Sequence, residues 1–360
     1  MPGGTAVAAL GLARGLAARE DVEVVGVSAH HRRSPSSTWT PSVAVASLPM
    51  TRAAMYEAWH GVRWPQVEMA TGPVDVVHAT TLIIPPSRAP LVVTVHDLAF
   101  LDDPTRLTSR GNRFMRRGVV LAKAHAQLVV CSSEATKRDC ITAGFEEDRL
   151  RVVLLGSDEP PASLDDIAAT KSELRLRHPY VVWVGTVEPR KNLPTLLEAF
   201  TLVAADDRDI ELVLVGPEGW GPQLDALSRP LDGKTRARVR ALGFLTDEQR
   251  RAVVAGAAAF CYPSTKEGFG LPVLEAMIQG TPVVTSAGTS TEEVAAGAGL
   301  LVDPTSPRAI ADALRDLLDD ASLADRLSSA GRARATELTW ARCAERTLAV
   351  YAELAAERSQ

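Results

Sequence analysis

The 360-residue chain has no excess of positive charge: 39 lysines and arginines stand against 44 aspartates and glutamates, a net charge of −5. A dedicated nucleic-acid binder carries a basic surplus to neutralise phosphates, so that class is excluded. Cysteine is scarce. Cys131, Cys140, Cys261 and Cys343 show no Cys-x-x-Cys or Cys/His spacing, which argues against a disulfide framework or a zinc site and leaves reduced thiols. No run in the sequence approaches the roughly 20 apolar residues that span a bilayer. The opening Met1-Pro2-Gly3-Gly4-Thr5 lacks the basic-then-apolar pattern of a secretory signal, so a cytoplasmic protein is expected. Repeats of solenoid length are missing as well.

What is present is an ordinary globular composition, 46% hydrophobic and 23% charged. The length suits two domains at about 150 residues each. Short β-branched runs at 22–27, 74–78, 90–96, 127–131 and 150–155 alternate with helical patterns at 112–126 and 133–143. The second half repeats the arrangement, with strand-like runs at 180–184, 210–215, 239–242, 258–262, 282–285 and 299–302. Such alternation predicts an α/β fold with parallel sheets covered on both faces. The polar stretch after Glu159-Pro160-Pro161 reads as a connection. The expected division is therefore a first domain at 1–160, a linker at 161–178, a second domain at 179–336 and a closing amphipathic helix within 337–360. Ligands of doubly wound sheets bind beyond the carboxyl ends of the strands, so a cleft between the halves is the expected site.

Three segments sit just after strands and carry chemistry. In Glu267-Gly-Phe-Gly-Leu-Pro-Val-Leu-Glu275, two glycines permit close backbone approach, and Pro272 suits the first turn of a helix. A glycine loop entering a helix N-terminus is a ready anion site. Glu275, about one turn inside that helix, suits the vicinal hydroxyls of a ribose, and Glu267 is expected to face the same pocket. In Gly185-Thr-Val-Glu-Pro-Arg190-Lys191-Asn192, two cations stand just before a helix, where the dipole opposes them. That local cost points to an anionic ligand, and an arginine fork beside a lysine point charge suits a diphosphate. His96 closes the strand in Thr94-Val-His96-Asp97 and is expected to point into the cleft; a strand-end histidine also serves as a satisfied structural group, and His78 shows the same pattern.

These three segments, in this order, resemble the signatures of the retaining nucleotide-sugar glycosyltransferases of family 4, whose hallmark is a Glu-x7-Glu motif. Cys131-Ser-Ser-Glu-Ala-Thr136 and Thr339-Trp340-Ala-Arg342 look like further family features. The resemblance implies a GT-B architecture of two Rossmann-like domains, acceptor on the first and nucleotide sugar on the second, with the last helix returning to the first. It implies a hexosyltransferase that retains configuration and uses neither a metal nor a cofactor beyond the donor substrate, and it leaves front-side attack and a covalent intermediate both open. In keeping with this, no Asp-x-Asp pair stands in a metal-binding position. Carried over, Gly185, Arg190, Lys191, Phe269, Gly270, Leu271 and Glu275 bind the donor. Glu267 meets the donor sugar, His96 lies beside the anomeric centre, and Gly3-Gly4 form a glycine-rich loop near the diphosphate.

On overall resemblance, mannose from GDP-mannose is the expected donor, with a saccharide or lipid-linked acceptor in polysaccharide biosynthesis. A nucleotide-sugar epimerase of the same architecture and a non-catalytic nucleotide-sugar binder are the competing classes. Arg106, Arg110, Arg113, Arg116, Arg117 and Lys123 form an acid-free basic stretch, which suits either a solvated face or a peripheral contact with anionic membrane. In the resembled fold a central strand precedes the glycine-rich loop. Here Gly3-Gly4 stand at the start and lead straight into a helix, so the first strand is missing and a short strand is expected upstream.

Overall fold

The computed structural model describes residues 3–31, 39–206, 209–219 and 223–357. The chain divides into two compact units, Met1–Gly156 with Leu338–Gln360, and Ser157–Glu337. The first unit runs α1 (Gly4–Ala17), β1 (Val25–Ala29), β2 (Ala44–Leu48), α2 (Arg52–His60), α3 (Glu68–Thr71), β3 (Val77–Ala79), β4 (Leu91–Val95), α4 (Ala99–Asp102), α5 (Ser109–His125), β5 (Leu128–Cys131), α6 (Glu134–Thr142) and β6 (Leu150–Val152). The second unit runs α7 (Leu164–Glu173), β7 (Tyr180–Val184), α8 (Leu193–Ala204), β8 (Glu211–Val215), α9 (Leu224–Ser228), α10 (Gly233–Ala237), β9 (Val239–Gly243), α11 (Asp247–Ala255), β10 (Ala259–Tyr262), α12 (Leu271–Gln279), β11 (Val283–Ser286), α13 (Ser290–Ala295), β12 (Leu300–Val302), α14 (Pro307–Asp319) and α15 (Ala321–Ala335). The chain then returns to the first unit as α16 (Trp340–Glu357).

Every strand pairing is parallel. The second unit holds one six-stranded sheet in the order β12-β11-β10-β7-β8-β9. Its central strand, Tyr-Val-Val-Trp-Val, is buried along its whole length, as a strand covered on both faces requires. The first unit has its strands in two sheets, β1-β2 and β3-β4-β5-β6. One edge each of β1 and β3 carries no ladder among the described residues, so the doubly wound sheet is interrupted there. The larger sheet packs its Val93, Val95 and Val129 with Phe100, Leu121 and Ala122, and a smaller cluster forms around Ala29, Leu48, Met55, Trp59 and Val67.

The stretch 161–178, expected as a linker, is instead the opening of the second unit. Ser163 caps α7 by accepting from Asp166 N at 3.1 Å, and α7 packs on α11. Acidic residues in its first turn and Lys171 in its last complement the helix dipole. Its polarity is that of a mostly exposed helix, and the boundary between units falls earlier, at Gly156/Ser157.

In the first unit α16 lies along α1, and the contact depends on missing side chains. A Cβ on Gly11 would stand 2.1 Å from Cε2 of the buried Trp340 ring, and one on Gly15 would stand 2.5 Å from the Trp340 carbonyl oxygen. Gly11→Ala therefore sets two effects against each other. Alanine gains about 1 kcal/mol of helix propensity, whereas overpacking a rigid ring costs about 1–3 kcal/mol. The overlap involves three ring atoms within 2.5 Å, so overpacking wins. Gly11→Ala is expected to lower the thermal midpoint, while Gly233→Ala, with nothing within 4 Å of its added carbon, is neutral or stabilising. Differential scanning calorimetry checks both; an unchanged midpoint for Gly11→Ala would contradict the packing argument.

Candidate functional site

In the six-stranded sheet the chain winds outward from β7 through β8 and β9, then restarts on the other side with β10, β11 and β12. The switch between β7 and β10 is where a parallel sheet opens a crevice beyond its carboxyl ends. Two loops enter it, one after Val184 and one after Tyr262, and a single carboxylate joins them.

That carboxylate is Glu267. Its Oε2 lies 2.5 Å from Arg190 Nη1, and its Oε1 lies 3.5 Å from Lys191 Nζ. Tyr262 OH and Ser264 Oγ donate to Oε1 at 2.8 and 3.0 Å. Lys191 Nζ in turn donates to Tyr262 OH, and Arg190 Nε pairs with Glu188 at 2.8 Å. Burial works against ionisation of Glu267, but Lys191 and Arg190 outweigh it and hold the carboxyl down to about 2. Burial and the same carboxylate push the Tyr262 phenol well above its ordinary value, so it stays a neutral donor.

The cations expected to await an anion at a helix start are thus already compensated. They sit on a 3-10 turn, Pro189–Lys191, and Asn192 follows at φ 57° before α8 begins. The Asn192 amide donates to Pro263 O at 3.1 Å and Pro304 O at 2.6 Å, which fixes this turn against the second loop. Gly185 lies directly beneath Lys191: a Cβ there would meet Lys191 Cδ at 2.9 Å. Phe269 is buried, and Gly270 is the N-cap of α12 at φ 110°, with Leu271 as the first helical residue.

Glu275, on α12, does not share the partners of Glu267. Its Oε2 lies 2.5 Å from Arg250 Nη1, and Arg250 also pairs with Glu159. Burial first, then Glu159 and Asp247, raise its pKa to about 7 against the pull of Arg250. The sequence marks both glutamates as site residues, but gives no site role to Arg250, Glu159, Tyr262, Ser264 or Glu188. No spacing signal marks the pairing of Arg250 with Glu275 and Glu159, which lie 25 and 91 residues away. Tyr262 had one available signal, a polar end on the last residue of a strand.

In the first unit His96 follows β4, half-buried, with Nε2 3.1 Å from Thr80 O. That contact makes Nε2 the protonated nitrogen and leaves Nδ1 an acceptor. Burial lowers the pKa of His96. His78 is structural: Nδ1 meets Tyr351 OH at 2.6 Å and Nε2 meets Thr94 Oγ1 at 2.7 Å, fastening α16 to the sheet. Gly3 is the N-cap of α1, with Gly4 its first residue and no neighbour within 4 Å of a Cβ on Gly3. The basic stretch lies mostly on α5. Arg110 pairs with Glu57 at 2.6 Å, Arg116 with Asn112 Oδ1 at 2.7 Å, Arg117 with His60 O at 3.3 Å and Lys123 with Ala143 O at 3.0 Å. Arg113 is exposed, and the side chain of Arg106 lies outside the described set. No helix among the described residues is long and apolar enough to cross a membrane.

Comparison with known proteins places two family models end to end on this chain. Residues 2–159 match Glycosyltransferase Family 4, and residues 166–334 match Glycosyl transferases group 1. The O-antigen chain mannosyltransferase B of Escherichia coli is 32% identical over 282 residues, covering 77% of this chain and 74% of that protein. The MMP alpha-(1->4)-mannosyltransferase of Mycolicibacterium hassiacum is 30% identical over 311 residues, covering 78% and 71%. Among solved structures, HepE of Anabaena, crystallised with UDP and glucose, superposes with a TM-score of 0.75 at 21% identity, over 98% of this chain and 97% of that one. That likeness establishes the GT-B fold.

The Glu267 cluster has a pH signature. Its carboxyl lies below the ordinary 4.5 in the folded chain, so its stabilisation is full above that value and is lost as pH falls through about 2. Lys191→Met removes one of its two cations and is expected to raise the Glu267 pKa and move acid unfolding to higher pH. A carbon-13 NMR titration of the glutamate carboxyls with circular dichroism at low pH checks this; unchanged midpoints would remove Lys191 from the cluster.

Proposed function

The chain belongs to the group 1/family 4 glycosyltransferases, and from that premise we propose that it moves mannose from GDP-mannose to a saccharide or lipid-linked acceptor, retaining configuration without a metal ion. The observation that carries the proposal is the buried meeting of Arg190, Lys191 and Glu267 at the switch point. It supplies, in one low-dielectric place, cations for a leaving diphosphate and an ionised acceptor for sugar hydroxyls. The mannosyltransferase relatives support the choice of sugar.

In the proposed reaction the bond from the anomeric carbon to the diphosphate oxygen breaks, and its electron pair leaves on the phosphate. Arg190 and Lys191 stabilise that developing charge, which is worth most where water is excluded. Glu267, ionised at neutral pH, accepts hydrogen bonds from the sugar and does not act as an acid. Gly185 keeps the floor under Lys191 clear, and the backbone of Phe269, Gly270 and Leu271 at the start of α12 faces the donor. Glu275 takes the ribose hydroxyls, with Arg250 orienting it. Gly3 and Gly4, at the N-terminal end of α1, offer the diphosphate close backbone approach, and His96 serves the reacting carbon with its Thr80-fixed tautomer. The acceptor oxygen forms the new bond, and its proton passes to the departing diphosphate, which gains a basic oxygen as the old bond breaks.

Incubation with a panel of nucleotide sugars, with and without acceptors, followed by mass spectrometry and proton NMR of the product anomer, tests the reaction. Transfer from GDP-mannose with retention, undiminished by EDTA, is expected; an epimerised donor, or binding without turnover, points to the competing classes. Lys191→Ala is expected to reduce turnover by about 100- to 1,000-fold, the scale for losing one transition-state donor, and Glu275→Ala to lower kcat/KM for the donor by about tenfold or more, the scale of a charge-assisted hydrogen bond to the ribose. Unchanged kinetics in both would overturn the site assignment. We also propose that the exposed arginines of α5 meet anionic lipid at the inner face of the membrane. Arg113→Glu with Arg110→Glu is expected to weaken sedimentation with phosphatidylglycerol vesicles, and equal sedimentation would refute the contact.

A further inference from the structure

A second polar site lies in the first unit, at the end of the sheet away from His96. A cavity of about 310 Å³ opens where β4 begins, lined by Arg63, Ser87, Arg88, Leu91, His125 and Gln127 among others, with no carboxylate in its wall. His96 follows the other end of the same five-residue strand, roughly 17 Å away at the usual rise per residue. The proposed transfer makes no use of this pocket.

Its walls are built to hold positive charge. The Arg63 guanidinium donates to three carbonyls, Trp59 O at 3.1 Å, Ile84 O at 2.6 Å and Pro85 O at 3.0 Å. Carbonyls orient the group without cancelling its charge. The Arg63 backbone sits at φ 56°, a conformation that side-chain-bearing residues adopt at a cost and keep only where surrounding contacts enforce it. Arg88 gives Nε to Gln66 at 2.9 Å and has no protein partner for its terminal nitrogens among the described residues. Gln127 accepts from Leu91 N at 2.7 Å, leaving its amide N–H groups without a protein partner there. His125 has no hydrogen-bond partner among the described residues; burial, then Arg63 and Arg117, push its pKa below the ordinary value. One acid, Glu68, contacts the wall residues: its Oε1 accepts from Ser87 Oγ, Arg88 N and Ala89 N at 2.8, 2.7 and 2.9 Å.

We propose that this pocket binds the phosphate group of a small phosphorylated molecule, as an effector site separate from the donor and acceptor. A guanidinium fork, an amide and an imidazole converging on one volume match a multiply charged, multi-oxygen anion better than a single carboxylate. The volume falls at the lower end of small-molecule sites.

The test reads His125 itself, so phosphate bound elsewhere does not confuse it. Proton–carbon NMR spectra of the histidine-labelled full chain, with His125 assigned through His125→Asn, are followed while inorganic phosphate is added at constant ionic strength. A saturable shift of the His125 signal is expected, absent with sodium chloride. Arg88→Ala, an exposed change that leaves the fold intact, is expected to weaken that binding by about tenfold or more, the scale of one charge-assisted hydrogen bond. No saturable shift, an equal shift with chloride, or an affinity unchanged in Arg88→Ala would each overturn the site.

Discussion

A buried carboxylate must find its countercharge inside the protein or cease to be a carboxylate, and Glu267 is where this chain meets that demand. Its requirement for Arg190 and Lys191 draws the loop after β7 onto the loop after β10 and sets the shape of both. Lys191 lies across Gly185, so that position carries no side chain. Gly185 in turn presses its carbonyl oxygen to within 2.0 Å of where a Cβ on Gly216 would be, and Gly216 adopts φ 131°. Glycine is thus required at the ends of two neighbouring strands, once by the Lys191 side chain and once by the backbone beside it.

The two glutamates of the Glu-x7-Glu segment show how local charge counting decides an ionisation state. Glu267 touches two cations, Arg190 and Lys191, of which it shares only Arg190 with Glu188, and is held at about 2. Glu275 shares Arg250 with Glu159, Asp247 stands nearby, and its pKa rises to about 7. Eight residues apart, both shielded from water, they differ through the ratio of partners. The ribose role proposed for Glu275 uses this, because a carboxyl near neutrality accepts or donates to a vicinal diol, whereas Glu267 only accepts.

Much of the fold was legible because a strand covered on both faces writes itself as an unbroken apolar run. β7 begins and ends where the pattern does, and α16 falls within the 337–360 stretch expected to hold the closing amphipathic helix. β2 was not legible: Ala44–Leu48 is short and mostly exposed, so no apolar run betrays it. Nor was α7, whose acidic first turn follows two prolines and looks like a connection until Ser163 is read as its cap. For the site, Arg190 and Lys191 were recognisable as cations out of place, but their compensation by Glu267 was not. Spacing along a chain carries no record of which loops a sheet's winding order brings together. Arg250 was invisible for the same reason.

The first unit is assembled from two stretches of chain with the entire second unit between them. On the ribosome, the groove of α1 floored by Gly11 and Gly15 emerges first, and the Trp340 ring that fills it arrives more than three hundred residues later. A chain lengthening at about 5–20 residues per second leaves that apolar groove open for tens of seconds, long enough to engage a chaperone or another nascent chain. The second unit, contiguous in sequence, has no such wait. Vectorial synthesis thus inverts the order of the gene, and the unit encoded second can be the first to finish folding.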